Sequence, residues 1–209
     1  MEPTDNIQKL INEKSVQFRD FKNLKLETRK SGETEELVIE GIACTFNEPT
    51  VLFECDGVEY KEQIDDRAFD ETDMTDVIFN FNHCGRVYAR TRNGSLNLEV
   101  KEDGLHMRAI LMKDDEGHAQ LYRDIQSGLI DKMSFAFTVQ EQAYDRENHM
   151  STVRRIKKLF DVSAVDIPAY DTTTISARSF FESERQKELE EIKKRDAEIE
   201  LAKARFFYI

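Results

Sequence analysis

The stretch that decides the fold is NGSLNLEVKEDGLHMRAILM, residues 93–112. It holds two dipeptides, Asn93-Gly94 and Asp103-Gly104, of the kind that supplies the positive φ angles of tight hairpin turns. Residues that favour strands lie on both sides of each dipeptide, in the segments 86–92, 95–100 and 105–112. The stretch therefore predicts a meander of three antiparallel strands joined by two hairpins.

The chain around this meander also favours strands. Five further segments are rich in β-formers and end at polar or turn residues: 37–43, 58–64, 77–83, 132–140 and 152–165. One helix is predicted among them, because Asp114 or Asp115 can cap its start and Gly128 can close its end. Many short strands with a single helix indicate a small antiparallel barrel or closed sheet.

Composition divides the chain into three regions. Residues 1–21 are polar, with apolar side chains at roughly helical spacing, and are interpreted as a flexible or weakly helical arm. Residues 22–178 form the predicted β-domain. Residues 179–209 contain no Gly or Pro and many charges of both signs, which predicts a charged C-terminal helix. That helix either packs loosely on the domain or a partner, or is a removable or scaffold-binding segment.

The overall composition argues against several classes of protein. The formal net charge is −12, which disfavours nucleic acid as the main partner because phosphate binding needs a basic face. No run of about 18 apolar residues exists and no secretory signal opens the chain, so a cytosolic protein without a membrane span is expected. The cysteines Cys44, Cys55 and Cys84 lack the spacing of a zinc site and predict reduced thiols. No metal or cofactor is expected.

His83 is the first candidate for catalysis. If the segment 77–83 is a strand, Val77, Phe79, Phe81 and His83 share one face. A histidine at the end of such an apolar row is partly buried, and its ring can be held in one orientation. The alternative is a structural histidine whose ring bonds to a backbone carbonyl.

Ser134 is the second candidate. Met133, Phe135 and Phe137 alternate with Ser134 and Ala136, so large and small side chains lie on opposite faces of the strand. The small face leaves room for another chain above Ser134, as a nucleophilic serine requires, together with a base within hydrogen-bond reach. The alternative is a serine on the small face of an ordinary strand.

Asp161 lies inside an apolar run, where an unpaired carboxylate would be costly. A partner is therefore expected, and a histidine ring N–H is one candidate. The basic pairs at 154–155 and 157–158 are other candidates, as is simple exposure on an edge strand. Asp166 is the competing acid.

Cys84 is a rival candidate for the nucleophile because it adjoins His83. Neighbours on a strand point to opposite faces, so the two side chains could pair only across a bulge or turn. Cys84 therefore ranks below Ser134.

Several segments, taken in order, resemble the prohead maturation proteases of HK97-like tailed phages. The resemblance covers residues 36–178 and rests on YKEQIDDRAF, FNFNH, the Asn93-Gly94 hairpin, MSFAF and FDVSAVDIPAY, which begin at residues 60, 79, 93, 133 and 160. It implies a serine peptidase with a compact antiparallel β-barrel of the herpesvirus assembly protease (assemblin) type.

The resemblance also implies roles for single residues. Ser134 becomes the nucleophile, His83 the general base and Asp161 the acid that orients the imidazole, with Asp166 as the other candidate for this third position. The chain departs from the family at two positions, since the family usually has Glu in place of Asp161 and often an acidic residue in place of Cys84. The first departure bears on the contact between acid and ring.

The implied substrates are the scaffold segments of the major capsid protein, inside the immature procapsid in the cytoplasm of the bacterial host. The protease would also act on itself, at the arm or the tail, and would associate with itself. Two alternatives belong to other classes. One is an inactive member of the family that serves as an assembly scaffold or adaptor. The other is an unrelated β-rich binding domain in which Ser134 and His83 are structural.

Overall fold

A computed structural model describes residues 15–20, 22–31, 34–55, 57–166 and 170–207. These residues contain eleven strands and two α-helices. The predicted fold class, mainly β with few helices, is therefore confirmed.

The strands are, in chain order, β1 (Ser15–Asp20), β2 (Lys22–Ser31), β3 (Thr34–Thr45), β4 (Thr50–Cys55), β5 (Val58–Ile64), β6 (Ile78–Phe81), β7 (Cys84–Arg90), β8 (Leu96–Lys101), β9 (Gly104–Met112), β10 (Lys132–Asp145) and β11 (Met150–Val165). The helices are α1 (Glu116–Gln126) and α2 (Tyr170–Phe207), and a short 3-10 turn spans Thr91–Asn93.

The strands form two sheets. The larger has seven strands and runs β1-β10-β11-β5-β4, while β11 also pairs with β6, and β6 with β7. The smaller sheet has the order β2-β3-β9-β8. The pairings of β11 with β5 and β6 are parallel, whereas the sequence predicted antiparallel strands throughout. β11 is thus the strand on which the larger sheet is organised.

The predicted closed barrel is not confirmed. Among the described strands, the larger sheet has β1 and β4 at the two ends of its path, and the smaller has β2 and β8. Alternation of side chains predicts which face of a strand is buried. It says nothing about which outermost strands meet, because that depends on pairing between distant segments.

The predicted meander is half right. β8 and β9 form the expected antiparallel hairpin, but β7 pairs with β6 in the other sheet. Gly94 does adopt the left-handed conformation, with φ of 75°, and the turn there carries the chain from one sheet to the other. The local signal for a turn was correct, and the inference that the flanking strands pair was wrong.

Gly104 is required for a reason other than a left-handed turn. The two residues that connect β8 to β9 are Glu102 and Asp103, since Lys101 is already paired with Gly104. Gly104 has φ of 154°, and a Cβ at this position would lie 2.1 Å from the backbone oxygen of Cys44 in β3. The close approach of β3 therefore excludes any side chain here.

We expect Gly104→Ala to lower the free energy of unfolding by about 3 kcal/mol, because backbone strain and overpacking act together. Gly94→Ala is the matched control, since Gly94 also has a positive φ but has nothing within 4 Å of the added Cβ. It should cost only about 1 kcal/mol. Urea unfolding of both variants measures the difference, and equal losses would contradict the close approach of β3.

One hydrophobic cluster joins the two sheets. Its fully buried members include Ile39 and Leu105 from the smaller sheet and Phe79, Phe135 and Phe137 from the larger. Burying a side chain of this kind stabilises the fold by about 1.5–3 kcal/mol. The core thus lies between the sheets and holds β6 and β10 in place.

The predicted helix is confirmed as α1. The Asp115 side chain accepts a hydrogen bond of 3.1 Å from the His118 backbone N–H and so caps the helix. Gly128 follows the helix with φ of 74°. The apolar side chains of the helix are buried: Leu121, Tyr122 and Ile125.

The arm differs from its prediction. Residues 15–20 form β1, which pairs antiparallel with β10 along its whole length. The interpretation as a flexible or weakly helical segment is wrong for these six residues, because a partner strand from a distant part of the chain stabilises an extended conformation. Residues 1–14 and residue 21 lie outside the described residues.

The charged C-terminal helix is confirmed as α2, although it begins before residue 179. Its buried Phe181 contacts three rings, with centroid distances of 5.7, 5.1 and 5.3 Å to Phe53, Tyr60 and Tyr144. These aromatic contacts dock the helix on the larger sheet. Farther along, its apolar side chains are exposed: Leu189, Ile192, Ile199 and Leu201.

Candidate active site

His83 lies in a strained turn between β6 and β7, not on a strand as predicted. Asn82 and His83 both have positive φ, 51° and 56°, and Gly85 follows with 69°. Left-handed backbone is uncommon for residues other than glycine, although Asn and His adopt it more readily than most. Such conformations persist only where the surroundings hold them, and they cluster at functional sites.

Hydrogen bonds to the end of β11 hold this turn in place. The backbone N–H of Asn82 donates to the Ala164 oxygen at 3.0 Å. The Asn82 side chain donates to Asp166 at 3.0 Å and accepts from its backbone N–H at 3.3 Å. The backbone N–H of His83 donates to Ser163 Oγ at 3.1 Å. The turn is therefore fixed to the same strand that carries Asp161.

The structure brings together the three side chains singled out in the sequence. His83 Nε2 lies 2.6 Å from Ser134 Oγ, and His83 Nδ1 lies 2.6 Å from Asp161 Oδ1. The imidazole thus bridges a hydroxyl and a carboxylate. In the tautomer that carries its proton on Nδ1, the ring donates a hydrogen bond to Asp161. Nε2 is then free of a proton and can accept the hydrogen bond of the Ser134 hydroxyl.

Strand register explains this meeting. β11 lies between β10 and β6 in the sheet. Asp161 is paired with Ala136 of β10, and Ser163 is paired with Ser134. Since side chains alternate along a strand, Asp161 and Ser163 lie on the same face of the sheet as Ser134. The histidine turn reaches this face from the β6 side.

Ser163 and Asn80 also belong to the site, although the sequence did not identify them as candidates. Ser163 is fully buried, and its Oγ lies 3.3 Å from His83 Nδ1 and 3.2 Å from Asp161 Oδ1. The buried Asn80 accepts a hydrogen bond from the Ser163 hydroxyl. The available signal was spacing: Ser163 stands two residues after Asp161, and period two puts both on one face. The pairing of Asn80 with Ser163 could not be inferred in that way.

Two of the basic side chains considered as partners of Asp161 form ion pairs elsewhere. Lys158 lies 2.9 Å from Asp73, and Arg155 lies 3.5 Å from Glu141. Asp161 is only 7% exposed, so its bond to the ring and its contact with Ser163 replace water around the carboxylate.

The two rival residues lie outside this arrangement. Asp166 is exposed and bonds to Asn82, so the acid in contact with the imidazole is Asp161. Cys84 is exposed at the start of β7. Among the described residues, no group of three His, Cys, Asp or Glu side chains could hold a metal ion.

Access to Ser134 differs from the expectation. The small face of β10 predicted open space above this serine, yet Ser134 has no exposed surface. Its neighbour Ala136 is also buried, at 3%. β1 lies along the edge of β10, with Phe18 paired with Ser134. The site is therefore assembled but closed.

A hydroxyl, an imidazole and a carboxylate in this order of contacts resemble the arrangement used by serine hydrolases, which is recognised by geometry rather than by the order of residues in the chain. A family model described as caudovirus prohead serine protease matches residues 22–190. The match covers most of the chain, and the protein belongs to this family. Comparisons with curated proteins and with solved structures give no match.

Neither helix, over its described residues, is both long and apolar enough to cross a bilayer.

We expect Ser163→Ala to lower the free energy of unfolding by about 1–3 kcal/mol. The change leaves the backbone N–H of His83 and the side-chain oxygen of Asn80 without the hydroxyl to which they bond. Ser151→Ala is the matched control on the same strand. Ser151 is equally buried, but its hydroxyl has no hydrogen-bond partner in the described part of the chain, so its removal should be neutral or slightly stabilising. Urea unfolding distinguishes the two variants. An unchanged free energy of unfolding in Ser163→Ala would contradict a stabilising role for the hydrogen bonds of Ser163 with His83 and Asn80.

Proposed function

We propose that the protein is the maturation endopeptidase of a tailed-phage prohead, with Ser134 as nucleophile, His83 as general base and Asp161 as the orienting acid. The observation that carries the proposal is the His83 ring, which lies 2.6 Å from both the hydroxyl and the carboxylate. The family to which the chain belongs is described by the same chemistry.

The reaction is acyl transfer. His83 Nε2 takes the proton of Ser134 as Oγ attacks the carbonyl carbon of the substrate peptide bond. The resulting imidazolium gives this proton to the departing amine, and an acyl-enzyme ester remains on Ser134. Water, deprotonated by the same nitrogen, then attacks the ester carbonyl. The imidazolium returns this proton to Ser134 Oγ as the bond between the carbonyl carbon and Oγ breaks, which releases the acid product and restores the free enzyme. Asp161 accepts the hydrogen bond of the Nδ1–H group and stabilises the imidazolium in both steps.

The aspartate at position 161 is compatible with this role. A carboxylate one methylene shorter than the usual glutamate could have left a gap to the ring, but the contact is 2.6 Å. β11 is held against β6 by four consecutive pairs from Asp161 to Ala164, which brings the shorter side chain close enough.

The proposed substrates are extended scaffold segments of the major capsid protein, cleaved within the immature procapsid in the host cell, together with segments of the protease itself. The family description places the enzyme class in the prohead, where capsid subunits are the abundant neighbours. Association of protease copies with each other is part of the same proposal.

One observation favours an alternative function. Ser134 is fully buried, as it would be in an inactive family member that serves as an assembly scaffold or adaptor. The long charged helix α2, with its exposed apolar side chains, would then bind capsid partners. Covalent labelling of Ser134 separates the two functions.

We expect the purified protein to react with a fluorophosphonate probe at Ser134, and Ser134→Ala to abolish both this labelling and cleavage of co-expressed capsid subunit. Cys84→Ala serves as the control, because Cys84 is the other nucleophile near His83, and it should label like the wild type. Intact-mass and peptide mass spectrometry locate the adduct. Unlabelled wild-type protein with an intact capsid subunit would support the inactive scaffold.

We expect Asp161→Asn to slow labelling by about 10³-fold or more, because an amide favours the wrong tautomer of the imidazole. Asp161→Glu should retain much of the rate. Asp166→Asn is the control, since that acid is exposed and bonds to Asn82, and it should change the rate little. The second-order rate constant for probe modification measures all three, and a larger loss in Asp166→Asn would assign the third role to that residue.

A further inference from the structure

The edge of β10 beside Ser134 is occupied by a segment of the same chain. β11 takes one side of β10, and β1 takes the other. Six consecutive pairs without a register shift join β1 to β10, from Ser15 with Phe137 to Asp20 with Lys132. Phe18 stands opposite Ser134. Both hydrogen-bonding edges of the strand at the proposed nucleophile are therefore in use.

This occupation is incompatible with attack on a protein substrate. Acyl transfer needs the substrate carbonyl about 3–3.5 Å from the attacking oxygen. Ser134 has no exposed surface, whereas the side chains of His83 and Asp161 retain 19% and 10% exposure. The base and the acid can thus be approached more readily than the nucleophile. β1 borders Ser134 along the edge of β10 that faces away from β11, so its displacement would open that edge to a substrate.

The family match separates β1 from the rest of the fold. The match begins at residue 22, immediately after β1 and its connection to β2. β10, β11, β6 and the histidine turn all lie inside the matched region. Without β1, β10 would be an open edge, and an open edge binds extended peptides through its unpaired N–H and C=O groups.

β1 has the properties of a displaceable strand. It is six residues long and lies at the end of the sheet, where backbone hydrogen bonds open most easily. It also contacts α2.

We propose that the β10 edge is the docking surface for the substrate and that β1 is its resident occupant. An extended segment of the substrate protein adds antiparallel to β10 after β1 leaves, and its carbonyl then reaches Ser134. The free chain is consequently held in a closed state until substrate or assembly displaces β1. This inference rests on the proposed function, because it assigns the substrate edge of the same site.

A reversible cross-link tests the closed state in the full-length chain. Asp20→Cys and Lys132→Cys, at paired positions, place two thiols across the strands within the range of a disulfide. Cys55 and Cys84 are exposed and are changed to serine. The oxidised protein should react with a fluorophosphonate–rhodamine probe at least about tenfold more slowly than the same protein after reduction. The reason is that the disulfide removes an open state that the reduced protein populates to at most about 10%. Lys132→Cys alone is the control, and its rate of labelling should be the same before and after oxidation.

Proline substitutions test the converse. N–H groups of adjacent strand residues point in opposite directions, so only one of Gln17→Pro and Phe18→Pro removes a bond to β10, and the other serves as its matched control. The disruptive variant should label about tenfold faster than the wild type, as expected when a minor open state becomes the main one. Amide hydrogen exchange over residues 132–137 should accelerate in the disruptive variant and not in its control. The same acceleration is expected when the disruptive proline is placed in Ser134→Ala protein, because the effect does not depend on catalysis.

The outcomes separate the inference from the proposed function. Equal labelling of locked and reduced protein, or unchanged exchange of the β10 amides in both proline variants, would overturn the role of β1 while leaving catalysis by Ser134 intact. Absence of labelling in every variant, the reduced and proline forms included, would instead refute the proposed function, and the assignment of a substrate edge would fall with it.

Discussion

The parallel pairing of β6 with β11 is the constraint on which the site depends. It sets Asn80 beside Ser163 and ends β6 at the level where the turn can carry His83 over β11. β11 separates β10 from β6, so a hydroxyl and an imidazole from non-adjacent strands meet above the strand that supplies the acid. A slip of one residue in this pairing would move Asp161 to the other face of the sheet. The fully buried core between the two sheets resists such a slip, because it fixes the faces of β6 and β10.

Strain and buried polar groups are concentrated at this point of the fold. Asn82 and His83 hold left-handed backbone conformations, and Ser163, Asn80 and Asp161 are buried polar residues. Each feature would reduce stability if it stood alone. Here these groups satisfy one another. The Ser163 hydroxyl accepts a hydrogen bond from the backbone N–H of His83 and donates one to the Asn80 side chain. The Asp161 carboxylate bonds to the His83 ring. A network in low dielectric is strong when every member has a partner, which explains how the site can be rigid before substrate arrives.

The same rigidity makes control of access important. The proposed nucleophile and base already stand at hydrogen-bond distance in the free chain, so assembly of the site cannot be the step that controls activity. In the proposed scheme, the closed state differs from the reactive state in the segment that pairs with the β10 edge, which is β1 in the closed state and substrate in the reactive state. A peptidase that shares a closed compartment with its substrates would benefit from control of this kind, because displacement of an edge strand responds to the local concentration of competing extended segments.

The sequence by itself determined the local features: the mainly β character, the β8–β9 hairpin, the capped helix α1, the charged helix α2, and the three residues Ser134, His83 and Asp161 as candidates. Turn residues, caps and alternation act over a few positions, so they can be recognised along the chain. Only the tertiary structure decided that β7 leaves the meander for the other sheet, that two pairings of β11 are parallel, that the sheets stay open, and that residues 15–20 are a strand. It alone revealed Ser163 and Asn80 behind the histidine and the burial of Ser134. These features depend on which distant segments become neighbours, and that choice is made by burial of the shared core and by backbone pairing rather than by local preference.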